Sequence, residues 1–118
     1  MIPVYQQRIG GSGTCFRACL ASILHLGESQ VPDFSDDTWY DEANEFLSHH
    51  GLGYRRVPVD GAKPVGYSTI EGVSPRGGLH ACVAFNGDLV HDPHMPDGTG
   101  NGLVEPRYYG LLESTKGV

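Results

Sequence analysis

Apolar residues in the first half of the chain fall at helical spacing. In "CFRACLASILHL", Phe16, Leu20, Ile23 and Leu24 share a stripe that Cys19 and Leu26 widen, so the pattern predicts a helix over 15–26, buried on most sides. The turn "GGSGT" at 10–14 precedes it, Thr14 stands at the N-cap position, and Gly27 predicts its end. A second amphipathic stretch, "TWYDEANEFLSHHG", predicts a helix over 38–50. Trp39, Ala43, Phe46 and Leu47 form its inward face, and Asp41, Glu42, Asn44 and Glu45 face water. Asp36 or Asp37 caps its start and Gly51 ends it. The connecting "ESQVPDFSDD" reads as a loop, and the N-terminal "IPVYQQ" as a short strand.

Beyond residue 51 the pattern predicts strands at 52–59, 64–73, 79–85, 89–93 and 103–113. The second of these, "PVGYSTIEGV", reads as half-buried by alternation. "LHACVAF" and "LVHDP" flank "NGD", and Asn-Gly between apolar runs predicts a hairpin. Helices first and an antiparallel sheet after make an α+β fold, expected as one domain over 1–118.

Composition narrows the function classes. The chain has 118 residues, 39% of them hydrophobic, with 17 glycines and 8 prolines, which fits a globular domain of short elements and many turns. A net charge of −6 argues against nucleic acid as a partner. The basic doublet Arg55-Arg56 reads as a solvated strand edge. No apolar run is long enough to span a membrane, and "MIPVYQQRIGG" lacks the features of a secretory signal, so a cytoplasmic location is expected. Three cysteines, Cys15, Cys19 and Cys82, are too few and too uneven for a disulfide framework and read as reduced thiols.

Of these, Cys15 stands where a glycine-rich turn enters a helix. Unpaired helix amides favour a thiolate there and can hold an oxyanion, and Gly10, Gly11 and Gly13 let a substrate backbone approach. The competing reading is a small buried residue at a helix start. Cys19 and Cys82 read as core packing. Among the six histidines, His25 cannot reach Cys15 along the same helix, and His49 and His50 suit a helix C-terminus. His80 opens a strand after the turn "SPRGG" and can lean into a cleft as a general base. Asp92 is the candidate orienting partner, and hairpin register decides whether it can serve. A two-residue turn pairing Phe85 with Asp88 sends Asp92 to the opposite sheet face from His80. An odd loop or a bulge puts both on one face as diagonal neighbours.

"CFRACLASIL", "SPRGGLHACVAF" and "GDLVHDPH", in that order, resemble papain-like cysteine peptidases, nearest the bacteriocin-leader (double-glycine) peptidase branch, and small proteins of phages and bacteria with that fold. The resemblance implies a papain-like domain that attacks a peptide or amide bond of a peptide or protein substrate, with no cofactor and no metal. It implies Cys15 as nucleophile, His80 as base, Asp92 as its partner, and Gln7 or Gln6 as the oxyanion-hole glutamine. Thr14 and Phe16 depart from the exporter peptidases around the cysteine, so leader specificity does not transfer. Gly13, Thr14, Ser74 and Arg76 are candidate substrate-binding residues.

Rival readings have their own signatures. Cys15, Cys19, His91 and His94 could supply four zinc ligands, although their spacing matches no strong zinc motif. A catalytically silent module that keeps the triad and binds a protein partner is the alternative function. "GGSGT" lacks the lysine of a phosphate-binding loop, Asp33, Asp36 and Asp37 lack the spacing of a calcium loop, and Trp39, Tyr40 and Phe46 read as core.

Overall fold

Ten residues, Cys15–Leu24, form helix α1, and Trp39–Ser48 form α2. The strands are β1 (Leu52–Pro58), β2 (Tyr67–Val73), β3 (Leu79–Phe85), β4 (Asp88–His91) and β5 (Glu105–Ser114). The computed structural model describes residues 1–6, 14–35 and 37–115. The strands make one antiparallel sheet in the order β1-β5-β2-β3-β4, so the chain is α+β, two helices packed on a five-stranded sheet. Among the described residues no helix is long and apolar enough to cross a membrane.

Local chemistry moves several element ends. α1 stops at Leu24, two residues short of the apolar pattern, because His25 adopts the left-handed conformation (φ 59°) and caps it before Gly27 is reached. The N-cap of α2 is Thr38 rather than Asp37, and Asp36 lies outside the described residues. Glu42 turns back over this first turn to accept hydrogen bonds from Ser35 and Thr38. Asn44 faces β1 instead of water: its Oδ1 accepts the Tyr54 N–H at 2.8 Å. Glu28–Gln30 form a single 3-10 turn inside the expected loop. Residues 1–6 form no strand and are fastened by Ile2 N–H to Ser22 O and Gln6 N–H to Pro93 O.

Alternation fails as a guide to β2. Ser68 to Gly72 are all buried, because β2 lies inside the sheet between β5 and β3 and both its faces are covered. β3 is buried from His80 to Ala84 for the same reason. Its Ala81 and Val83 pack with Cys19 of α1, while Cys82 and Ala84 pack with Ile70 and Tyr109 in a separate cluster. Gly110 allows one tight contact in the sheet, since a Cβ there would collide with Thr69 Oγ1 and the Tyr54 ring.

Candidate active site

The β3–β4 hairpin resolves the register question in favour of a bulge. Asn86 and Gly87 both have positive φ (52° and 85°), which makes a two-residue turn, and Phe85 pairs with Asp88 and Ala84 with Leu89. The next pair is Val83 with His91, so Val90 is the extra residue. That single insertion carries Asp92 to the side His80 uses. His80 Nε2 and Asp92 Oδ1 stand 2.6 Å apart, with both side chains buried. Asp92 is held from two further directions, accepting from His94 N–H on Oδ1 (2.8 Å) and Gly102 N–H on Oδ2 (2.6 Å).

Cys15 begins α1, with its sulfur close enough to His80 to act on the ring's ionisation. The first hydrogen bond of the helix runs from Ala18 N–H to Thr14 O, so the amides of Cys15, Phe16 and Arg17 lie outside the helical ladder. Burial by itself pushes His80 toward the neutral ring. Its hydrogen bond to Asp92, the nearby Cys15 sulfur and the charge of Asp92 outweigh that and raise its pKa to about 9. Burial likewise opposes the charge of Asp92, yet His80 and the amides of Gly102 and His94 hold its carboxyl well below the usual range. The arrangement therefore keeps an imidazolium between a sulfur and a carboxylate.

The other cysteines behave differently. Cys19 is fully buried and burial pushes its thiol far up. Cys82 is fully buried too, and burial together with the neighbouring Asp92 charge drives its thiol the same way. His80, Cys82 and Asp92 offer donor atoms within 4.8 Å of one another. A cation there would have to part the His80–Asp92 hydrogen bond and ionise Cys82 against that burial, so the donor set fits a metal poorly. The four residues of the zinc reading do not converge among the described residues: His91 Nε2 bonds Val4 O at 2.8 Å and its ring meets Tyr5, which fixes the N-terminal segment.

A cleft of about 500 Å³ opens from Cys15 and His80. Thr14 lines it as expected. Ser74 and Arg76 do not: Ser74 is buried, its Oγ accepting the Arg76 N–H within the turn at 3.2 Å, and the Arg76 guanidinium bonds Gly100 O. Gln7 and Gly13 lie outside the described residues, and Gln6 is tied by its backbone beside Pro93.

The far wall was not legible in the sequence. It is built by Arg56, Glu71, Trp39 and Tyr108. Arg56 stands on the edge strand β1 and is partly exposed, and its guanidinium also lies over the Trp39 ring at 4.7 Å and the Tyr108 ring at 5.0 Å. Its Nε and Nη2 donate to Glu71 Oε1 at 3.2 and 2.5 Å. Tyr54 OH and Thr69 Oγ1 donate to the other oxygen of the same buried carboxylate. Trp39 and Tyr40, expected in the core, are instead partly exposed, and Trp39 lines the cleft with Phe16 and Phe34. The lone acid in "STIEGV" was the available signal for Glu71, and the shared face of Tyr54 and Arg56 on β1 the signal for Arg56. No protein-family model, no curated protein and no solved structure matches the chain.

Proposed function

We propose that the chain is a cysteine hydrolase of papain-like type, cleaving a peptide or amide bond. The observation that carries this reading is the arrangement at the helix mouth: the thiol of Cys15 and the ring of His80 line one open cleft, and Asp92 braces His80 at 2.6 Å. In the proposed reaction an imidazolium on His80 favours the thiolate of Cys15, which adds to the carbonyl carbon. In this reading the amide of Cys15, at the start of α1, donates to the oxyanion. The C–N bond then breaks, His80 delivers its proton to the leaving amine, and a thioester remains on the sulfur. Water, deprotonated by His80, adds to that thioester and releases the acid and the thiol.

The test is alkylation of the folded protein with iodoacetamide at pH 6, read by mass spectrometry of each cysteine peptide. Cys15 is expected to react at least about tenfold faster than free cysteine, and Cys19 and Cys82 hardly at all. His80→Ala should remove that advantage, and Cys15→Ala should abolish cleavage of a mixed peptide library. An ordinary rate at Cys15 that does not respond to His80 would sink the proposal. Fast, His80-dependent alkylation with no cleavage of any peptide or amide would favour the silent binding module instead.

A further inference from the structure

We infer that Arg56 is the substrate-anchoring residue of the cleft, its guanidinium edge donating to a backbone carbonyl of an extended peptide bound on the acyl side of Cys15. The inference rests on the hydrolase reading and names the substrate class for it. The residue is unusually fixed for an arginine on a strand near the sheet edge. Trp39 and Tyr108 hold the guanidinium plane, and Glu71 takes Nε and Nη2. Among the described residues no carboxylate or carbonyl accepts a hydrogen bond from Nη1. The side chain keeps 35% of its surface open, and it lines the same cleft as the thiol. A planar donor with its rotamers already frozen loses little entropy on binding, which is what an anchor requires.

The charge balance selects the ligand. Each arginine of the cleft already has an acid: Arg17 has Glu28 at 3.6 Å, Arg56 has Glu71, and Arg107 has Glu105 at 2.6 Å. Asp33 adds a further acid to the lining. A carboxylate would enter a site with no surplus positive charge, whereas a neutral carbonyl needs only one of the N–H groups that Glu71 leaves over. The cleft's volume of about 500 Å³, with Phe16, Phe34 and Trp39 in its lining, suits a short stretch of chain rather than one small amide.

The experiment compares inactivation of Cys15 by three reagents in the full chain: iodoacetamide, a capped dipeptidyl fluoromethyl ketone, and the same ketone with its acyl-side carbonyl reduced to methylene. The wild type should prefer the carbonyl probe over the methylene probe by about tenfold or more. Arg56→Lys, which keeps the charge but loses the fork, should erase that preference and leave the iodoacetamide rate unchanged. Tyr108→Leu removes one ring from the guanidinium while both Arg56 and Glu71 stay in the chain, and should weaken the preference. Persistence of the preference in both variants overturns the inference, as does a parallel fall with all three reagents in both. A carboxylate-capped probe that outpaces the neutral one tenfold also overturns it, in favour of an anionic ligand. If iodoacetamide ignores His80→Ala in the wild-type background, the hydrolase reading itself has failed; if it responds and Arg56 does not discriminate, only the anchor has.

Discussion

Two buried carboxylates, Asp92 behind His80 and Glu71 beside Arg56, are held by different means. Asp92 accepts one imidazole and two backbone amides, those of His94 and Gly102, so its surroundings come from the bulged end of β4 and the loop after it. Among the described residues Glu71 accepts from side chains, Thr69 on its own strand β2 and Tyr54 and Arg56 on β1, which lies across β5. The cation beside Asp92 can lose its proton and lies near a sulfur. The cation beside Glu71 is permanent and stacked between rings. One end of the cleft is thus built to move a proton, the other to keep a shape.

The largest effect expected from breaking this contrast lies at Asp92. Asp92→Asn should lower the rate of Cys15 alkylation at pH 6 by about tenfold or more, to that of free cysteine, because an amide no longer holds the imidazolium or its orientation. Rapid-quench labelling measures it. Glu71→Gln, tested in parallel, should leave that rate within a few-fold of wild type. An equal loss in both would mean that the two ends are not separate.

Next in size is a stability effect at the other end. Glu71→Ala strands Arg56 and the Tyr54 hydroxyl, whose own ionisation is already opposed by burial and by Glu71. Arg56 is partly open to water, so the loss comes chiefly from the buried Tyr54 hydroxyl and is roughly 1–3 kcal/mol, which urea denaturation should show. The surviving folded fraction should still alkylate at Cys15. A loss below about 1 kcal/mol would place Glu71 with ordinary surface acids.

These two ends also differ in how far the sequence revealed them. Cys15, His80 and Asp92 were legible because hairpin arithmetic left two outcomes, and each was tied to a named register. The choice between them was not legible: the bulge is a single exposed valine, Val90, in an edge strand, and no residue type marks it. The aromatic–arginine wall was hidden for another reason. Trp39, Arg56, Glu71 and Tyr108 come from four elements, and only the sheet order β1-β5-β2 brings them together. A doublet such as Arg55-Arg56 looks uniform in one dimension, although successive strand residues point to opposite faces. Burial of β2 was misjudged because Ser68 and Thr69 are polar, and an inner strand buries them regardless.

A smaller effect separates the ends by pH. His80 has its pKa raised from 6.5 to about 9, so its contribution to stability is complete below the ordinary value and is lost as pH climbs through about 9. Asp92 is depressed from 3.8, so its contribution is present above that value and lost as pH falls below it. The pair therefore supports the fold most between about pH 4 and 6.5. Melting temperature should decline from pH 6.5 to 9.5 in the wild type and decline less in His80→Gln. Glu71→Gln, which leaves the imidazole in place, should keep the wild-type slope. An unchanged slope in His80→Gln would contradict the imidazolium assignment.

The smallest contrast is between the two adjacent arginines, and it isolates environment from residue type. Arg55 meets Glu113 through two 3.0 Å hydrogen bonds, yet both side chains are at least half exposed, so water competes for the same groups. Arg55→Ala should leave the denaturation midpoint and the Cys15 alkylation rate within replicate scatter. Arg56→Ala should lower the midpoint measurably, since it removes packing against Trp39 and Tyr108 and leaves Glu71 without its cation. Similar losses at both positions would show that the ion pairs, not the aromatic sandwich and the buried carboxylate, set the worth of each arginine. A loss confined to Arg56 would tie it to the cleft wall, with the same chemistry one residue away acting only as a solvated edge.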